Sequence, residues 1–403
     1  MRVLIVSDWM TEPGGSEAHI MLVRDALRDF GDDARLLTCG AADAAAGLAD
    51  WRAWGTDRAL LQAIVQVANP RAAMTLRMVR HEFRPDVALV VHFAYHLSPS
   101  VFGALNTVPT VLSVMDYKLV CPLGSKLLPD ESICHQRAGP VCWRGGCLTL
   151  PHWLRDRARY ARIHRGMERV TAVLAPSGAV REALARDGIP SQVMLLPVAR
   201  PSHPPVRRPA PAPVFLYCGR LVREKGLPVL MRALARVRDR VPGASLRLVG
   251  DGDMRAELVR LAATLGMTDA VSFHGRQPFD VVEQNLADAW ALVAPSLWAE
   301  PFGMVAPEAI IRHVPVIASR SGGFADSVRD GETGLLVPNG DVSALADAML
   351  AVAERRCFVT HRLPAGEVAA VAEQHDATRY ASRLRGLFGD VLGRRGQSSR
   401  ADA

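Results

Sequence analysis

Residues 214–250, VFLYCGRLVREKGLPVLMRALARVRDRVPGASLRLVG, decide the fold. An apolar run of strand length is followed by a basic turn, a helix-period segment that starts at Gly226, and a second apolar run, SLRLVG. Strand, helix and strand in this order predict two parallel neighbours joined by a crossover helix. We therefore expect an α/β protein with a parallel sheet and helices on both of its faces.

The same alternation extends over most of the 403-residue chain and predicts two doubly wound, Rossmann-like domains. The first is expected over residues 1–196 and the second over 214–365. Between them, residues 197–213 contain seven of the 27 prolines and predict a semi-rigid linker. Residues 366–392 predict one amphipathic helix, and 393–403 a frayed tail. Because ligands bind beyond the carboxyl ends of parallel strands, we expect a deep cleft between the two domains.

Composition and charge exclude several classes of protein. With 49% hydrophobic and 22% charged residues the chain is neither disordered nor fibrous. No apolar run reaches the roughly 18 residues of a membrane span, and the start MRVLIVSD predicts a strand rather than a secretory signal, so we expect a cytoplasmic protein. The net charge of +7 favours anionic partners, but no motif for reading DNA or RNA is present, so we expect no nucleic-acid partner.

Two carboxylates mark the most informative turn. In APSLWAEPFGMVAPEAI, a strand ends, Glu300 follows in a turn, and a helix begins whose first turns hold Glu308. The amides after Glu300 are expected at a helix N-terminus, where they favour an anion. Carboxylates beside an anion site are poor phosphate ligands, so neutral sugar hydroxyls are the expected partners. A surface carboxylate plus a helix-dipole carboxylate is an equally good interpretation of the spacing alone.

Two cations follow the strand VFLYCG. Arg220 comes directly after it, and Lys225 precedes the next helix. Arginine binds a diphosphate bidentately and lysine acts as a point charge, although a solvated basic turn explains the pattern as well. Lys225 is one of only three lysines among 48 basic residues. In the first domain, Gly14 and Gly15 precede a helix and allow close approach of a phosphate or sugar.

The order of these motifs resembles that of the retaining glycosyltransferases of family 4, which have the GT-B fold. PGGSE, GRLVREKG, VGDGD, FHGR, EPFGMVAPE, SGG and DGETGLLVPNGD carry the resemblance, most specifically over residues 214–355. It implies transfer of a sugar from a UDP- or GDP-linked donor to a carbohydrate, lipid-linked or small-molecule acceptor, with retention at the anomeric carbon. It also implies that the C-terminal helix crosses back to the first domain, and that the product belongs to polysaccharide, glycolipid or other glycoconjugate biosynthesis.

The resemblance assigns roles to residues of the second domain. Arg220 and Lys225 would hold the donor diphosphate, Glu300 the hydroxyls of the transferred sugar, and Glu308 the ribose hydroxyls. The backbone near Arg276 would receive the base, and Gly15 would approach the phosphates from the first domain. The remaining donor contacts are the amides of four consecutive residues: Phe302, Gly303, Met304 and Val305.

The chemistry needs stabilisation of negative charge on the leaving diphosphate, which fixed cations and amides supply. Glu300, Arg220, Lys225 and Asp116 are therefore the expected catalytic residues. Asp251 and Asp253 form an acidic turn, but in this family the turn is not a metal ligand. We expect no cofactor and no catalytic metal ion.

One position departs from the family pattern. Met115 stands where such proteins usually have a histidine, directly before Asp116 and Tyr117. A thioether cannot transfer protons, so one interpretation is that the reaction needs no group at this position. The other is that Asp116, His92 or His96 binds the acceptor or relays the proton instead. This departure also leaves open a protein that binds nucleotide sugars without transferring them. A nucleotide-sugar epimerase of the same fold is a third hypothesis.

Two further segments, one containing four cysteines and one rich in arginine, lie outside these motifs. The insert 117–150 is expected to lack secondary structure, and Cys121, Cys134, Cys142 and Cys147 within it suggest a structural metal or disulfide staple, as in a subset of the family. The predicted helix over 151–170 has six arginines. It is expected either as a solvated helix or as a peripheral contact with the inner face of the membrane or a phosphorylated acceptor.

Overall fold

The computed structural model describes residues 1–8, 15–40, 47–200 and 206–401, with side chains described up to residue 394. The chain forms two compact units. Within the described residues, unit 1 contains the segments of 1–125, 135–197 and 376–401, and unit 2 contains 126–134 and 198–375. The family-typical α/β alternation is thus present twice.

Unit 1 is built on a seven-stranded parallel sheet. Its spatial order is β3-β2-β1-β4-β5-β6-β7, so the first strand lies in the interior of the sheet, and Ile5 on it lies opposite Leu36 and Leu89 of its two neighbours. The strands are β1 (Arg2–Asp8), β2 (Asp33–Gly40), β3 (Trp51–Trp54), β4 (Val87–Val90), β5 (Thr110–Ser113), β6 (Ala172–Ala175) and β7 (Gln192–Val193).

Eight helices of the described residues cover this sheet. They are α1 (Gly15–Asp29), α2 (Ala59–Val65), α3 (Pro70–Phe83), α4 (Ser100–Ala104), α5 (Pro140–Arg144), α6 (Leu150–Met167), α7 (Gly178–Arg186) and, from the end of the chain, α15 (Ala377–Ala401). Helix α1 packs against α15, while α3 packs on α4 and α4 on α6. Because the crossovers of parallel strands are right-handed, α1 lies on one face of the sheet and α3, α4 and α6 lie on the other.

Unit 2 has a six-stranded parallel sheet in the order β10-β9-β8-β11-β12-β13. Its strands are β8 (Val214–Cys218), β9 (Ser245–Val249), β10 (Val271–Gly275), β11 (Ala291–Ala294), β12 (Val316–Ser319) and β13 (Gly334–Val337). A 3₁₀ turn (Arg223–Lys225) precedes the helices α8 (Leu227–Arg240), α9 (Arg255–Thr264), α10 (Phe279–Asp288), α11 (Val305–Ile310), α12 (Phe324–Ser327), α13 (Val342–Ala353) and α14 (Ala365–Gln374).

The strand–helix–strand unit predicted from residues 214–250 is confirmed. Pro228 lies in the first turn of α8, where it removes no helical hydrogen bond. Leu227, Leu230, Leu234 and Val237 recur at helical spacing and are fully buried against the sheet. Burial of this stripe attaches α8 to β8 and β9.

The C-terminal prediction is wrong in two respects. The single helix expected over 366–392 is two helices, because α14 ends before His375 and the Asp376 carboxylate accepts the amide of Arg379 at 2.9 Å to begin α15. The first belongs to unit 2 and the second to unit 1. The tail expected from 393 is helical to Ala401.

Other elements differ from the sequence prediction as well. Residues 60–83, whose sequence alone predicts one long helix, are interrupted before Pro70, where Asn69 caps α3, and the short strand β3 precedes them. The insert 117–150 has secondary structure of its own, since it contains α5 and an antiparallel bridge between Leu127 and Ile133. The hairpin 126–134 around that bridge folds with unit 2.

Gly226 joins the 3₁₀ turn to α8 in a left-handed conformation with φ of +69°. A Cβ atom there would lie 2.0 Å from the carbonyl oxygen of Pro295, in the loop after β11. Only glycine therefore allows the turn after β8 to pack against the neighbouring loop.

We predict that Gly226→Ala lowers the free energy of unfolding by more than about 2 kcal/mol, because left-handed strain of about 1–2 kcal/mol adds to a clash with backbone. Denaturant unfolding measures this. Gly266→Ala is a matched control for strain alone, since φ is +65° there and no atom lies within 4 Å. Gly243→Ala, at a position with neither a positive φ nor a close contact, should leave the free energy of unfolding nearly unchanged. If Gly226→Ala and Gly266→Ala lowered the free energy of unfolding equally, that result would contradict a clash between the new Cβ and the Pro295 carbonyl.

Candidate functional site

The predicted donor residues of unit 2 meet at one edge of its sheet. Strand β11 pairs in parallel with β8, so their carboxyl ends lie side by side. Arg220 and Lys225 follow β8, and Glu300 follows β11. Strand order thus brings together residues that are 75 positions apart in the chain.

Glu300 is held by three side chains. Its carboxylate is buried, with 6% of the residue exposed, and Lys225 Nζ donates to both of its oxygens at 2.8 Å. Ser296 Oγ and Trp298 Nε1 each donate to Oε2 at 2.9 Å. Charge-assisted hydrogen bonds of this kind offset the cost of burying the carboxylate. Sequence analysis missed Ser296 and Trp298, whose signal was their position between the strand and Glu300.

The backbone around Glu300 is fixed by the predicted SGG turn. Gly323 N donates to the Glu300 carbonyl at 2.7 Å, and Ser321 Oγ donates to the Trp298 carbonyl at 3.0 Å. A Cβ at Gly322 would lie 2.0 Å from the Glu300 carbonyl oxygen, so this close approach requires glycine. The turn after β12 therefore supports the loop after β11.

The side chain of Arg220 is less constrained by its contacts than that of Lys225. Its side chain is 64% exposed and lies 3.5 Å from Glu224, a surface ion pair of little energy. Its carbonyl accepts the Tyr217 hydroxyl at 2.7 Å, which fixes the backbone while the guanidinium faces solvent. Arg220 can therefore turn toward an anion without breaking a strong contact.

Glu308 lies on α11 and is half-buried. Burial raises the pKa of its carboxyl to about 7, partly offset by the charge of Arg312. Arg312 is itself committed elsewhere, since it pairs with Glu283 at 2.6 Å and donates to the Glu308 carbonyl at 2.8 Å. The two carboxylates of the motif thus have different environments.

The other predicted donor residues lie around this cluster. Phe302 is buried and its ring meets that of His375 edge-on at 5.4 Å. Gly303 has a positive φ, and Met304 and Val305 are half-buried at the start of α11. Arg276 is exposed directly after β10.

A hairpin from the insert reaches the 3₁₀ turn of unit 2. Arg223 Nε donates to Glu131 at 3.0 Å, and its Nη2 donates to the Pro129 carbonyl at 2.6 Å. Arg223 stands two residues before Lys225. Nothing in the local sequence of the hairpin signals this contact, because its partner lies 92 residues further along the chain.

In unit 1, the predicted residues lie at the carboxyl ends of β1, β4 and β5. Gly15 begins α1, while Gly14 lies outside the described residues. Asp116 is half-buried and accepts the amide of Lys118 at 2.7 Å. Met115, in place of the family histidine, packs against the apolar core of the unit.

The two candidate histidines differ. His92 is half-buried, whereas His96 is buried, with its ring 3.9 Å from Asp57. Sequence analysis missed Asp8, whose carboxylate accepts the amides of Tyr95, His96 and Leu97 at 2.7–3.0 Å. Burial raises the pKa of Asp8, and these three hydrogen bonds oppose that shift. His96 therefore lies in the scaffold of the turn after β4.

The structure does not gather the four cysteines of the insert into a metal site or a disulfide staple. All seven cysteines are thiols, and no three His, Cys, Asp or Glu side chains of the described residues are placed to share a metal ion. Cys134 folds with the hairpin of unit 2, whereas Cys121, Cys142 and Cys147 fold with unit 1.

The basic helix predicted over 151–170 is α6, which ends at Met167. Arg159 and Asp156 face inward and are buried, while Arg157, Arg162 and Arg165 are exposed. None of the helices in the described residues has the length and apolar character needed to cross a bilayer.

Comparison with solved structures gives the fold of the whole chain. The galactosyltransferase WaaB of the lipopolysaccharide outer core is 18% identical with a TM-score of 0.66, and 97% of this chain aligns with 100% of that one. HepE of Anabaena, solved with UDP and glucose, is 19% identical with a TM-score of 0.70 over the same shares.

Curated relatives match over a shorter stretch. A GDP-mannose-dependent phosphatidylinositol monomannoside mannosyltransferase of Mycolicibacterium smegmatis is 38% identical over 143 residues, 34% of this chain and 37% of the relative. The lipopolysaccharide core biosynthesis glycosyltransferase LpsE of Rhizobium meliloti is 40% identical over 141 residues, 35% and 39% of the two chains. The matched stretch thus spans little more than a third of these relatives.

Two family models cover most of the chain. Residues 14–199 match the glycosyl transferase 4-like domain, and residues 200–370 match glycosyl transferases group 1. The match in the second half contains the Lys225–Glu300 cluster and Glu308. With both models matched in succession on two parallel-sheet units, the chain belongs to the family 4 glycosyltransferases of GT-B fold.

Proposed function

We propose that this protein transfers a sugar from a nucleotide-diphospho sugar to an acceptor, with retention at the anomeric carbon. The observation that carries the proposal is the cluster of Lys225, Glu300 and Trp298 at the carboxyl edge of β8 and β11, beside the exposed Arg220. Cations and a buried, oriented carboxylate are the groups that a diphosphate and the hydroxyls of a sugar require.

Only part of the hydrogen bonding of the Glu300 carboxylate depends on Lys225. Oε2 of Glu300 accepts from Ser296 and Trp298 as well as from Lys225, whereas the hydrogen bond to Oε1 comes from Lys225. If Lys225 turns to a donor phosphate, Ser296 and Trp298 still hold the carboxylate in place. Oε1 then becomes available to a sugar hydroxyl, so donor binding itself would open the sugar site.

Bond cleavage places negative charge on the leaving diphosphate. Breaking the anomeric C–O bond also makes the sugar carbon oxocarbenium-like. Arg220 and Lys225 would stabilise the diphosphate, and the backbone amides from Phe302 to Val305 would complete its environment. In this proposal side-chain cations take the part of a divalent metal, and no cofactor is needed.

Glu308 would accept the ribose hydroxyls of the donor. An ionised carboxylate accepts two hydroxyls, whereas a protonated one must donate at one oxygen. Arg276 would complete the donor site in unit 2. Asp116 and His92 remain candidates for the acceptor side.

The donor class is a UDP- or GDP-linked sugar, since HepE was solved with UDP and glucose and the Mycolicibacterium relative is named for GDP-mannose. The relatives named for phosphatidylinositol mannoside and lipopolysaccharide core favour a glycolipid or polysaccharide acceptor. Thermal shift against UDP- and GDP-sugars would identify the donor, because a bound ligand stabilises the folded state. No shift with any of them would overturn the proposal.

Donor hydrolysis separates transfer from binding alone. The second candidate function is binding of nucleotide sugars without transfer. The observation that favours it is Met115 at the position where the family usually has a histidine. A transferase hydrolyses its donor slowly to the nucleoside diphosphate and retains the anomeric configuration in an acceptor product. Stabilisation by a donor without either reaction, across carbohydrate and lipid-linked acceptors, would establish the second candidate.

Donor affinity should depend on pH through Glu308. With a pKa of about 7, the fraction of ionised Glu308 rises as the pH rises from 6 to 8, so the donor should bind about tenfold more tightly at the higher pH. Calorimetry with the nucleotide sugar that stabilises the protein measures this, because its diester phosphates do not titrate in that range.

Glu308→Gln is the control for this titration, since the amide keeps the shape but has no charge to lose. The variant should bind the donor with the same affinity at both pH values. A pH dependence that persists in Glu308→Gln would assign it to another group.

Lys225→Met should lower the rate of donor cleavage at least about tenfold, since the thioether chain keeps the length but loses the positive charge at the diphosphate. Steady-state hydrolysis or transfer kinetics with the identified donor measures the loss.

Arg232→Met is the matched control. Arg232 is an exposed cation on α8, and its loss changes the net charge by the same amount. It should leave the rate unchanged. A wild-type rate in Lys225→Met would remove this residue from the site.

A further inference from the structure

The backbone that carries Lys225 is supported by other segments of unit 2. Lys225 ends the 3₁₀ turn Arg223–Lys225, and a turn of three residues has poor hydrogen-bond geometry of its own. On one side the Glu224 carbonyl accepts the amide of Leu297 at 2.9 Å, which ties the turn to the loop after β11. The position of Lys225 therefore depends on contacts outside the turn.

Arg223 supplies a second contact, with the hairpin 126–134. Its Nε donates to a carboxylate oxygen of Glu131 at 3.0 Å, and its Nη2 donates to the Pro129 carbonyl at 2.6 Å. The side chains of Arg223 and Glu131 are 53% and 45% exposed, so the ion pair alone would contribute little stability. Two hydrogen bonds from one planar guanidinium nevertheless fix its direction as well as its distance. The contact is therefore suited to position the turn rather than to stabilise the fold.

The tip of the hairpin is a fixed anchor for this contact. The Asp130 carboxylate accepts the amide of Ser132 at 3.0 Å and its hydroxyl at 2.7 Å. Leu128 N donates to the Ser132 carbonyl at 2.9 Å, and the antiparallel bridge between Leu127 and Ile133 lies behind the tip. The two acceptors of the guanidinium, one directly before Asp130 and one directly after it, are thus held by local hydrogen bonds.

We propose that Arg223 is a positioning residue for Lys225: the hairpin holds its guanidinium, and through it the turn that directs the ammonium group to the donor diphosphate. This role rests on the proposed function, in which Lys225 stabilises the leaving diphosphate. The guanidinium of Arg223 itself is turned to the hairpin by the two hydrogen bonds above. Arg223 therefore acts through Lys225 and not as a ligand of the donor.

The expected effect is on the rate of donor cleavage more than on donor binding. Negative charge on the diphosphate is greatest in the transition state, so the contact with Lys225 gains most strength there. A small displacement of the turn would weaken that contact while the other donor contacts of unit 2 remain. Loss of the hairpin contact should therefore lower kcat and leave KM nearly unchanged.

The test is steady-state donor hydrolysis by the full chain, with the UDP- or GDP-sugar that stabilises it. In Arg223→Met and in Glu131→Ala, kcat should fall about three- to tenfold, with KM within about twofold of the wild type. Arg240→Met is the matched control, since Arg240 ends α8, is 61% exposed and pairs with Glu354 at 2.6 Å. It loses the same charge and a comparable ion pair, and should keep the wild-type rate. The midpoint of thermal unfolding should be the same in all three variants.

Glu131→Ala separates the effect of position from that of charge. It removes the anchor and leaves the positive charge of Arg223 uncompensated, so a direct effect of that charge on the diphosphate would raise the rate or leave it unchanged. A positioning role predicts a lower rate instead. In the Lys225→Met background, Arg223→Met should cause no further loss, because both residues act on one interaction.

A wild-type kcat in Arg223→Met beside a lowered kcat in Lys225→Met would overturn the positioning role alone. So would a higher KM at unchanged kcat, which would make Arg223 a donor ligand. An unreduced rate in Glu131→Ala, or a further loss in the Lys225→Met background, would overturn it too. A wild-type rate in Lys225→Met would instead overturn the role of Lys225 in the proposed function, and the positioning role with it.

Discussion

The buried carboxylate of Glu300 is the constraint on which the rest of the proposed donor site depends. A buried charge without partners is strongly unfavourable, and this one is balanced by Lys225 together with the Ser296 hydroxyl and the Trp298 indole. To deliver Lys225, the turn after β8 must approach the loop after β11, which Gly226 permits. To hold Glu300, the backbone after β12 must approach it too, which Gly322 permits. The carboxylate of Glu300 thus fixes the loops after β8, β11 and β12 relative to one another.

The two carboxylates of the motif are prepared for different chemistry. Glu300 is oriented by two neutral donors, Ser296 and Trp298, besides Lys225. Burial raises the pKa of Glu308 to about 7, and Arg312, which opposes this shift, is paired with Glu283. A carboxylate with fixed donors is suited to orient a sugar, and one that titrates near pH 7 makes binding sensitive to pH. Proximity in sequence therefore does not imply a shared role.

Unit 1 shows the same use of a buried acid in its scaffold. Asp8 ends β1, an interior strand of the sheet, and fixes the turn after β4 through three backbone amides. Around this rigid edge lie the groups proposed for the acceptor side.

Sequence alone determined the alternation of strands and helices, the positions of Arg220, Lys225, Glu300 and Glu308, and the family. These follow from local patterns: apolar runs of fixed length, glycine and proline at turns, and polar residues directly after strands, where parallel sheets place their ligands. Sequence also showed that Met115 stands where the family pattern has a histidine, and the structure added that its half-buried side chain packs against the core.

Only the tertiary structure decided which of these residues touch. The pairing of Lys225 with Glu300 depends on strand order, which brings together loops 75 residues apart and which no local pattern encodes. The same holds for the hairpin 126–134, whose partner Arg223 is distant in the chain. The break between α14 and α15 and the exposure of Leu60 and Met74 were also hidden, because an apolar helical stripe shows that a face is suited to burial but not whether the fold supplies a partner.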